Sequence, residues 1–287
     1  MRERSVKAER PFRLLAIDID GTLVNSQDEI TPATRDALGS AIEAGIHVVL
    51  ATGRRYGQAI HLAEALGLSV PVITASGALI KDPSNHRTLF VAEFEPRVLC
   101  RMLSTITEAG YDPIIFADTY LEGFEFYHAR EDSACAYLTQ YLHYNRGRGR
   151  LWPNLVSAPP AGVFTGFAIG TREQMIELEQ VLHRRLPGEL YTHVLRSPRY
   201  SGFLCELARR DVTKWSAIRW LASRWGIQDH EICTVGDDVN DIPMIRHAGL
   251  GIAMGNALPE VKAVADRVAP GQDEDGLVAV VEWLLED

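Results

Sequence analysis

The chain has 287 residues, of which 46% are apolar and 23% charged, a globular composition that excludes a disordered or fibrous chain and, at roughly 150 residues per domain, suggests about two domains. Its 29 Lys and Arg against 38 Asp and Glu leave a net charge of −9, which argues against a general binder of nucleic acid or anionic membranes. The longest apolar runs, such as Leu14–Ile17 and Val278–Val281, fall far short of a membrane span, and the charge-dense start (Arg2, Glu3, Arg4, Lys7, Glu9, Arg10) is not a secretory leader.

The N-terminal third alternates. Phe12–Ile17 reads as a buried strand. Thr31-Pro32 opens a helix with an N-cap hydroxyl and a first-turn proline, and Gly45 stops it. Ile46–Ala51 is a second strand, Tyr56–Leu66 a helix and Val70–Thr74 a third strand. This β-α-β-α-β order predicts an α/β fold with a doubly wound, Rossmann-like parallel sheet. The middle differs. Long helices over Pro96–Ala109 and Thr171–Leu186 are interleaved with strands at Pro113–Ala117, Tyr120–Tyr127, Val163–Ile169 and Leu190–Leu195, which predicts an α+β layer with an antiparallel sheet. The C-terminal third resumes the parallel grammar with strands at Phe203–Leu207, Glu231–Val235 and Leu250–Ala253. Its helices are Thr213–Trp225, Ile242–Ala248 and Gly276–Leu285. The expected organisation is a core of residues 1–88 and 199–287 split around an inserted domain, 89–198, with turn-rich seams at Pro83–Arg87 and Arg196–Gly202.

Cys100, Cys135, Cys205 and Cys233 lie too far apart for a zinc knuckle or a CxxC pair and are expected to be buried free thiols in a cytoplasmic protein. Four other constellations carry chemistry. Asp18-Ile19-Asp20-Gly21-Thr22-Leu23 follows the first strand, where ligands of doubly wound sheets bind. Its two carboxylates suit a hard divalent cation, and Gly21 permits a sharp turn. A calcium loop is rejected because Leu23 stands where a glycine is required; a plain Asx turn remains open. Thr52-Gly53-Arg54, after the second strand, offers a hydroxyl, an N–H and a cation to a phosphoryl oxygen, or simply a helix cap. Lys214, in the first turn of a helix capped by Thr213, opposes the helix dipole unless an anion sits there; a solvated lysine is the alternative. Gly236-Asp237-Asp238-Val239-Asn240-Asp241 packs three carboxylates and a carboxamide after a strand, a crowd that calls for a cation or a lysine. Gly249–Gly255 approaches a dinucleotide loop but has one residue too many before its last glycine.

Together these segments resemble the haloacid dehalogenase (HAD) superfamily of phosphotransferases: DxDGT, TGR, a lysine and GDxxND look like its four motifs. The insertion resembles the large α/β (C2-type) cap of the Cof-type sugar phosphatases. The likeness runs from Phe12 to the C-terminus. Two departures stand out: Ser76-Gly77-Ala78 where Asn-Gly-Ala is usual, and Trp215 where a glycine usually follows the lysine. The resemblance implies a phosphatase acting on a small phosphorylated metabolite, such as a sugar phosphate. Asp18 would be the nucleophile, passing through an aspartyl-phosphate, and Asp20 the general acid and base. Thr52, Gly53 and Arg54 would bind phosphoryl oxygens, and Lys214 would balance charge near Asp18. Mg²⁺ would be held by the Asp18 carboxylate, the Asp20 backbone carbonyl and the Asp237 carboxylate. Asn240 would touch phosphate or hold Lys214, Asp241 would support the lysine or a metal-bound water, and Asp238 would be solvated. No nucleic-acid or membrane partner is implied. A phosphomannomutase-type mutase and a non-catalytic sugar-phosphate binder are the competing readings; the second acid, Asp20, argues against the binder. Arg146-Gly147-Arg148-Gly149-Arg150 reads as a mobile cationic loop of the cap: an RNA-binding segment, solvated decoration, or a grip on a second anionic group of the substrate.

Overall fold

The computed structural model describes residues 11–131, 133–196 and 201–286. The chain divides into two compact units, residues 1–50 with 218–287, and residues 51–217.

The first unit is built on a five-stranded parallel sheet in the order Arg267–Val268, Leu250–Ala253, Ile232–Gly236, Leu14–Ile17, His47–Leu50. Leu14 to Ile17 are all fully buried. A strand covered on both faces needs apolar side chains in both directions, which is why this run is continuous rather than alternating. Helix Pro32–Glu43 begins where Thr31 accepts the Thr34 N–H at 3.1 Å with proline in the first turn, and it packs on helix Gly276–Glu286. In the central pair Ile17 stands opposite Val235, and the Asp18 N–H donates to the Val235 carbonyl at 3.0 Å. Parallel register therefore brings the segments after both strands out side by side.

The second unit holds two sheets. Val72–Thr74, Leu79–Lys81 and Thr88–Val91 form a three-stranded antiparallel sheet. This corrects the third parallel strand expected at Val70–Thr74, which keeps only one parallel bridge, Ala51 to Ile73. The seam expected at Pro83–Arg87 is the turn of a hairpin, with the Asp82 carboxylate accepting the Ser84 N–H at 2.9 Å, and position 88/89 lies inside a strand. Of the other seam, residues 197–200 lie outside the described residues.

The larger sheet runs Leu190–Arg196, Phe203–Arg209, Val163–Gly170, Ile114–Ala117, Phe126–His128, Gly149–Leu151, antiparallel except for the last pair. Phe203–Arg209 therefore belongs to this sheet and not, as expected, to the parallel one. Alternation sorts its faces. Ile115 joins Met102, Leu103, Met175 and Leu182 from helices Pro96–Glu108 and Arg172–Arg185, while Ile114 and Phe116 join Phe126, Tyr141 and Phe167 on the other face. Helix Ala136–Tyr144, which supplies Tyr141, lies where the sequence pattern predicts no element. Tyr120–Glu122, expected as strand, is a helical turn that ends on Gly123 at φ +83°.

The arginine segment also differs from expectation. Gly149 and Arg150 are strand residues, the Arg148 carbonyl accepts the Glu125 N–H at 2.8 Å, and Arg148 lies 3.6 Å from the Glu125 carboxylate. The Arg150 guanidinium sits 3.7 Å from the Phe124 ring centre and donates to Glu122 at 3.3 Å. Two of the three charges are thus engaged within their own sheet edge. Cys205 and Cys233 are buried, with burial raising both thiol pKa values, but Cys100 is exposed, contrary to expectation.

Candidate active site

In the first unit, Asp18 is 5% exposed at the end of strand Leu14–Ile17. The chain then turns tightly, with the Leu23 N–H returning to the Asp18 carbonyl at 3.2 Å and Gly21 at φ +79°. Glycine is needed here twice over. The torsion disfavours a side chain, and a Cβ would stand 2.1 Å from Asp237 Oδ2. Thr22 Oγ1 donates to Asp237 Oδ1 at 3.2 Å, which ties the two loops together.

The second loop is braced by Asp241. This side chain is fully buried, and its Oδ2 accepts the N–H groups of Asp237 at 2.9 Å and Asp238 at 3.1 Å. Gly236 has no room for a Cβ, which would lie 2.4 Å from the Asp241 carboxyl carbon. Asp238, expected to be merely solvated, is half-buried and accepts the Val239 N–H at 2.7 Å, capping the turn Val239–Asp241 that contains Asn240. One carboxylate oxygen from each of Asp18, Asp237 and Asp241 lies within 4.8 Å of the others. Asp20, half-buried, is outside that carboxylate cluster, so its expected contribution to a metal is through the backbone alone.

In the second unit, Thr52 is fully buried and its Oγ1 accepts the Arg54 N–H at 3.0 Å. This is a local turn and not the N-cap of helix Tyr56–Ala65, whose cap position is Arg55. Arg54 is buried and Gly53 half-buried. The loop after strand Val72–Thr74 is held against them: Ser76 N–H donates to the Thr52 carbonyl and Ala75 N–H to the Arg54 carbonyl, both at 3.0 Å. Lys214 is 1% exposed, which removes the solvated alternative. Thr213 Oγ1 accepts the Ser216 N–H at 3.1 Å and Ser216 Oγ accepts the Thr213 N–H at 2.9 Å, so Lys214 opens its helix behind a reciprocal cap. At Gly77, φ is +103° and a Cβ would stand 2.2 Å from the Thr213 carbonyl oxygen. The 75–77 turn and the start of the lysine helix are therefore in backbone contact.

Two groups in this unit escaped sequence reasoning. Ser76 Oγ donates to Glu206 Oε2 at 2.9 Å, and His193 Nε2 meets the same oxygen at 2.5 Å. His193 Nδ1 is buried without a hydrogen-bond partner, so the ring donates through Nε2. Burial pushes the Glu206 carboxyl up, but the His193 ring, the hydrogen bonds from His193 and Ser76, and the Lys214 charge outweigh it and hold the pKa below the ordinary glutamate value. Only the departure at Ser76 hinted at this network. A lowered folded-state pKa gives stability that is fully present above the ordinary glutamate value and is lost as pH falls through the lowered one. Glu206→Gln is accordingly expected to cost about 1.5–3 kcal/mol at neutral pH, the worth of hydrogen bonds to a charged group. Its melting temperature should also fall less steeply than wild type on acidification; parallel melting curves from pH 7 to pH 3 would contradict the assignment.

Among the described residues no helix is long and apolar enough to cross a membrane. A family model described as haloacid dehalogenase-like hydrolase matches residues 15–281. The phosphatase YwpJ of Bacillus subtilis is 28% identical over 310 residues, covering 96% of this chain and 100% of its own. The 5-amino-6-(5-phospho-D-ribitylamino)uracil phosphatase YcsE of the same organism is 28% identical over 286 residues, covering 96% of each. The crystal structure of a haloacid dehalogenase-like hydrolase from Bacteroides thetaiotaomicron matches with a TM-score of 0.77 at 26% identity, over 95% of this chain and 99% of that one.

Proposed function

The chain belongs to the haloacid dehalogenase-like hydrolase family and is a phosphatase of small phosphorylated substrates, and from that premise we propose a Mg²⁺-dependent hydrolase of a sugar or sugar-alcohol phosphate that works through an aspartyl-phosphate. The observation that carries the reading is the convergence of Asp18, Asp237 and Asp241 at the ends of two adjacent parallel strands.

The donor set fits a hard divalent cation. Three carboxylates within 4.8 Å repel one another, and oxygen-rich sites of this kind are stabilised by Mg²⁺. With Asp241 committed to two backbone N–H groups, the Asp18 and Asp237 carboxylates and the Asp20 carbonyl would hold the ion. When bound, Mg²⁺ screens the phosphate charge from the carboxylates. Asp18 attacks phosphorus, the bond from phosphorus to the ester oxygen breaks, and Asp20 gives that oxygen its proton. Water then attacks the aspartyl-phosphate, Asp20 takes the proton back, and inorganic phosphate leaves. Thr52 Oγ1, the Gly53 N–H and Arg54 are assigned to phosphoryl oxygens, Lys214 to charge balance and Asn240 to the phosphate. Positioning and electrostatics supply most of the rate. In this reading the motif-bearing loops perform the chemistry, the inserted α+β layer selects the leaving group, and the protein works in the cytoplasm.

Purified protein with Mg²⁺, presented with hexose, pentose and pentitol phosphates, nucleotides and p-nitrophenyl phosphate, is expected to release inorganic phosphate with its highest kcat/KM on a sugar or sugar-alcohol phosphate. The phosphorylated ribityl group named for YcsE belongs in that panel. Isomerised sugar phosphate without phosphate release would establish the mutase instead.

A further inference from the structure

The run Gly249–Gly255, which resembles a dinucleotide loop, continues into Asn256, and the structure gives that continuation another task. Met254 N–H donates to the Gly236 carbonyl and Leu258 N–H to the Asp237 carbonyl, both at 3.0 Å. Between them, Asn256 Nδ2 donates to the Gly21 carbonyl at 2.8 Å, and Asn256 Oδ1 accepts the Gln272 N–H at 2.9 Å. The anchor is rigid. A Cβ on Gly255 would stand 2.7 Å from Gly271 N, so the two loops touch through backbone, and Lys262 Nζ donates to the Gly255 carbonyl at 2.5 Å. One five-residue segment thus holds both acidic loops, Asp237 through main chain and the Asp18–Asp20 turn through a single side chain.

That side chain answers a problem the turn creates. Gly21 has to be glycine, because a Cβ would run into the Asp237 carboxylate. Glycine also gives the backbone more freedom than any other residue at the point where the Asp20 carbonyl must be aimed. A hydrogen bond to the Gly21 carbonyl removes that freedom without needing a Cβ. We propose that Asn256 is a positioning residue for the metal site, restraining the Gly21 peptide so that the Asp18 carboxylate and Asp20 carbonyl stay in register with Asp237. The inference rests on the reading of those three groups as Mg²⁺ ligands. Outer groups that orient metal ligands are worth about ten- to a hundredfold in affinity.

Asn256 is exposed, so its truncation leaves the core intact. Calorimetric titration of metal-free protein with Mg²⁺, for wild type, Asn256→Ala and Asp237→Ala, tests the idea without relying on turnover. Asn256→Ala is expected to bind Mg²⁺ about ten- to a hundredfold more weakly, with a melting temperature close to wild type and much of its kcat recovered at saturating Mg²⁺. Wild-type affinity in Asn256→Ala beside lost affinity in Asp237→Ala overturns the positioning role and leaves the ligand set standing. Unchanged binding in both variants overturns the ligand set and the inference with it.

Discussion

Asp18→Asn is expected to lower phosphate release by roughly a thousandfold or more while leaving the fold intact, because it removes the attacking oxygen of a covalent mechanism. An amide is a poor nucleophile toward phosphorus and a poor ligand for Mg²⁺, so both roles proposed for Asp18 fail together. Asparagine keeps the size of the side chain and one acceptor oxygen, so the fold is expected to survive the exchange. Steady-state phosphate release on the best substrate, paired with a thermal melt, checks both halves. A folded Asp18→Asn protein with more than about a tenth of wild-type activity is incompatible with a nucleophile in that position.

Removal of divalent metal is expected to abolish activity, and Mg²⁺ to restore it. Asp237→Ala is expected to require a far higher Mg²⁺ concentration, by about a hundredfold or more, since it deletes a ligand where an outer group is worth ten- to a hundredfold. The alanine also strips Thr22 Oγ1 of its acceptor, at about 1 kcal/mol. Asp237→Asn retains an acceptor for Thr22 while weakening the metal, and so separates loss of the ion from loss of the loop contact. Mg²⁺ titrations of activity on both variants, alongside their melting temperatures, decide the matter. Phosphate release that survives exhaustive chelation removes the metal from the mechanism.

Element type was largely legible because it depends on local pattern. The apolar run Leu14–Ile17 reads as a buried strand, Thr31-Pro32 as a helix start, and helices Pro96–Glu108 and Arg172–Arg185 lie within about a residue of expectation. Partners were less legible. Phe203–Arg209 carries no mark distinguishing a parallel strand from an antiparallel one, and its place between Leu190–Arg196 and Val163–Gly170 is a matter of long-range register. Helix Ala136–Tyr144 has a weak local signal and is stabilised by the aromatic layer it joins through Tyr141.

The same division runs through the candidate site. The chemical inventory and its spacing are legible in the chain alone: Asp18 two residues from Asp20, Gly21 where the chain must turn, a hydroxyl at Thr52, a lysine at a capped helix start, and acids from Asp237 to Asp241. These are properties of neighbours in the chain. Which groups meet depends on how the strands pair and pack. Parallel pairing of two strands more than 200 residues apart brings Asp18 to Asp237 and Asp241. Packing buries Lys214 and ties Ser76 and His193 to one oxygen of Glu206, and a carboxamide 235 positions away reaches the Gly21 carbonyl. Hydrogen bonds and charges act over a few ångströms of space, and sequence separation says nothing about that distance until the sheet is assembled.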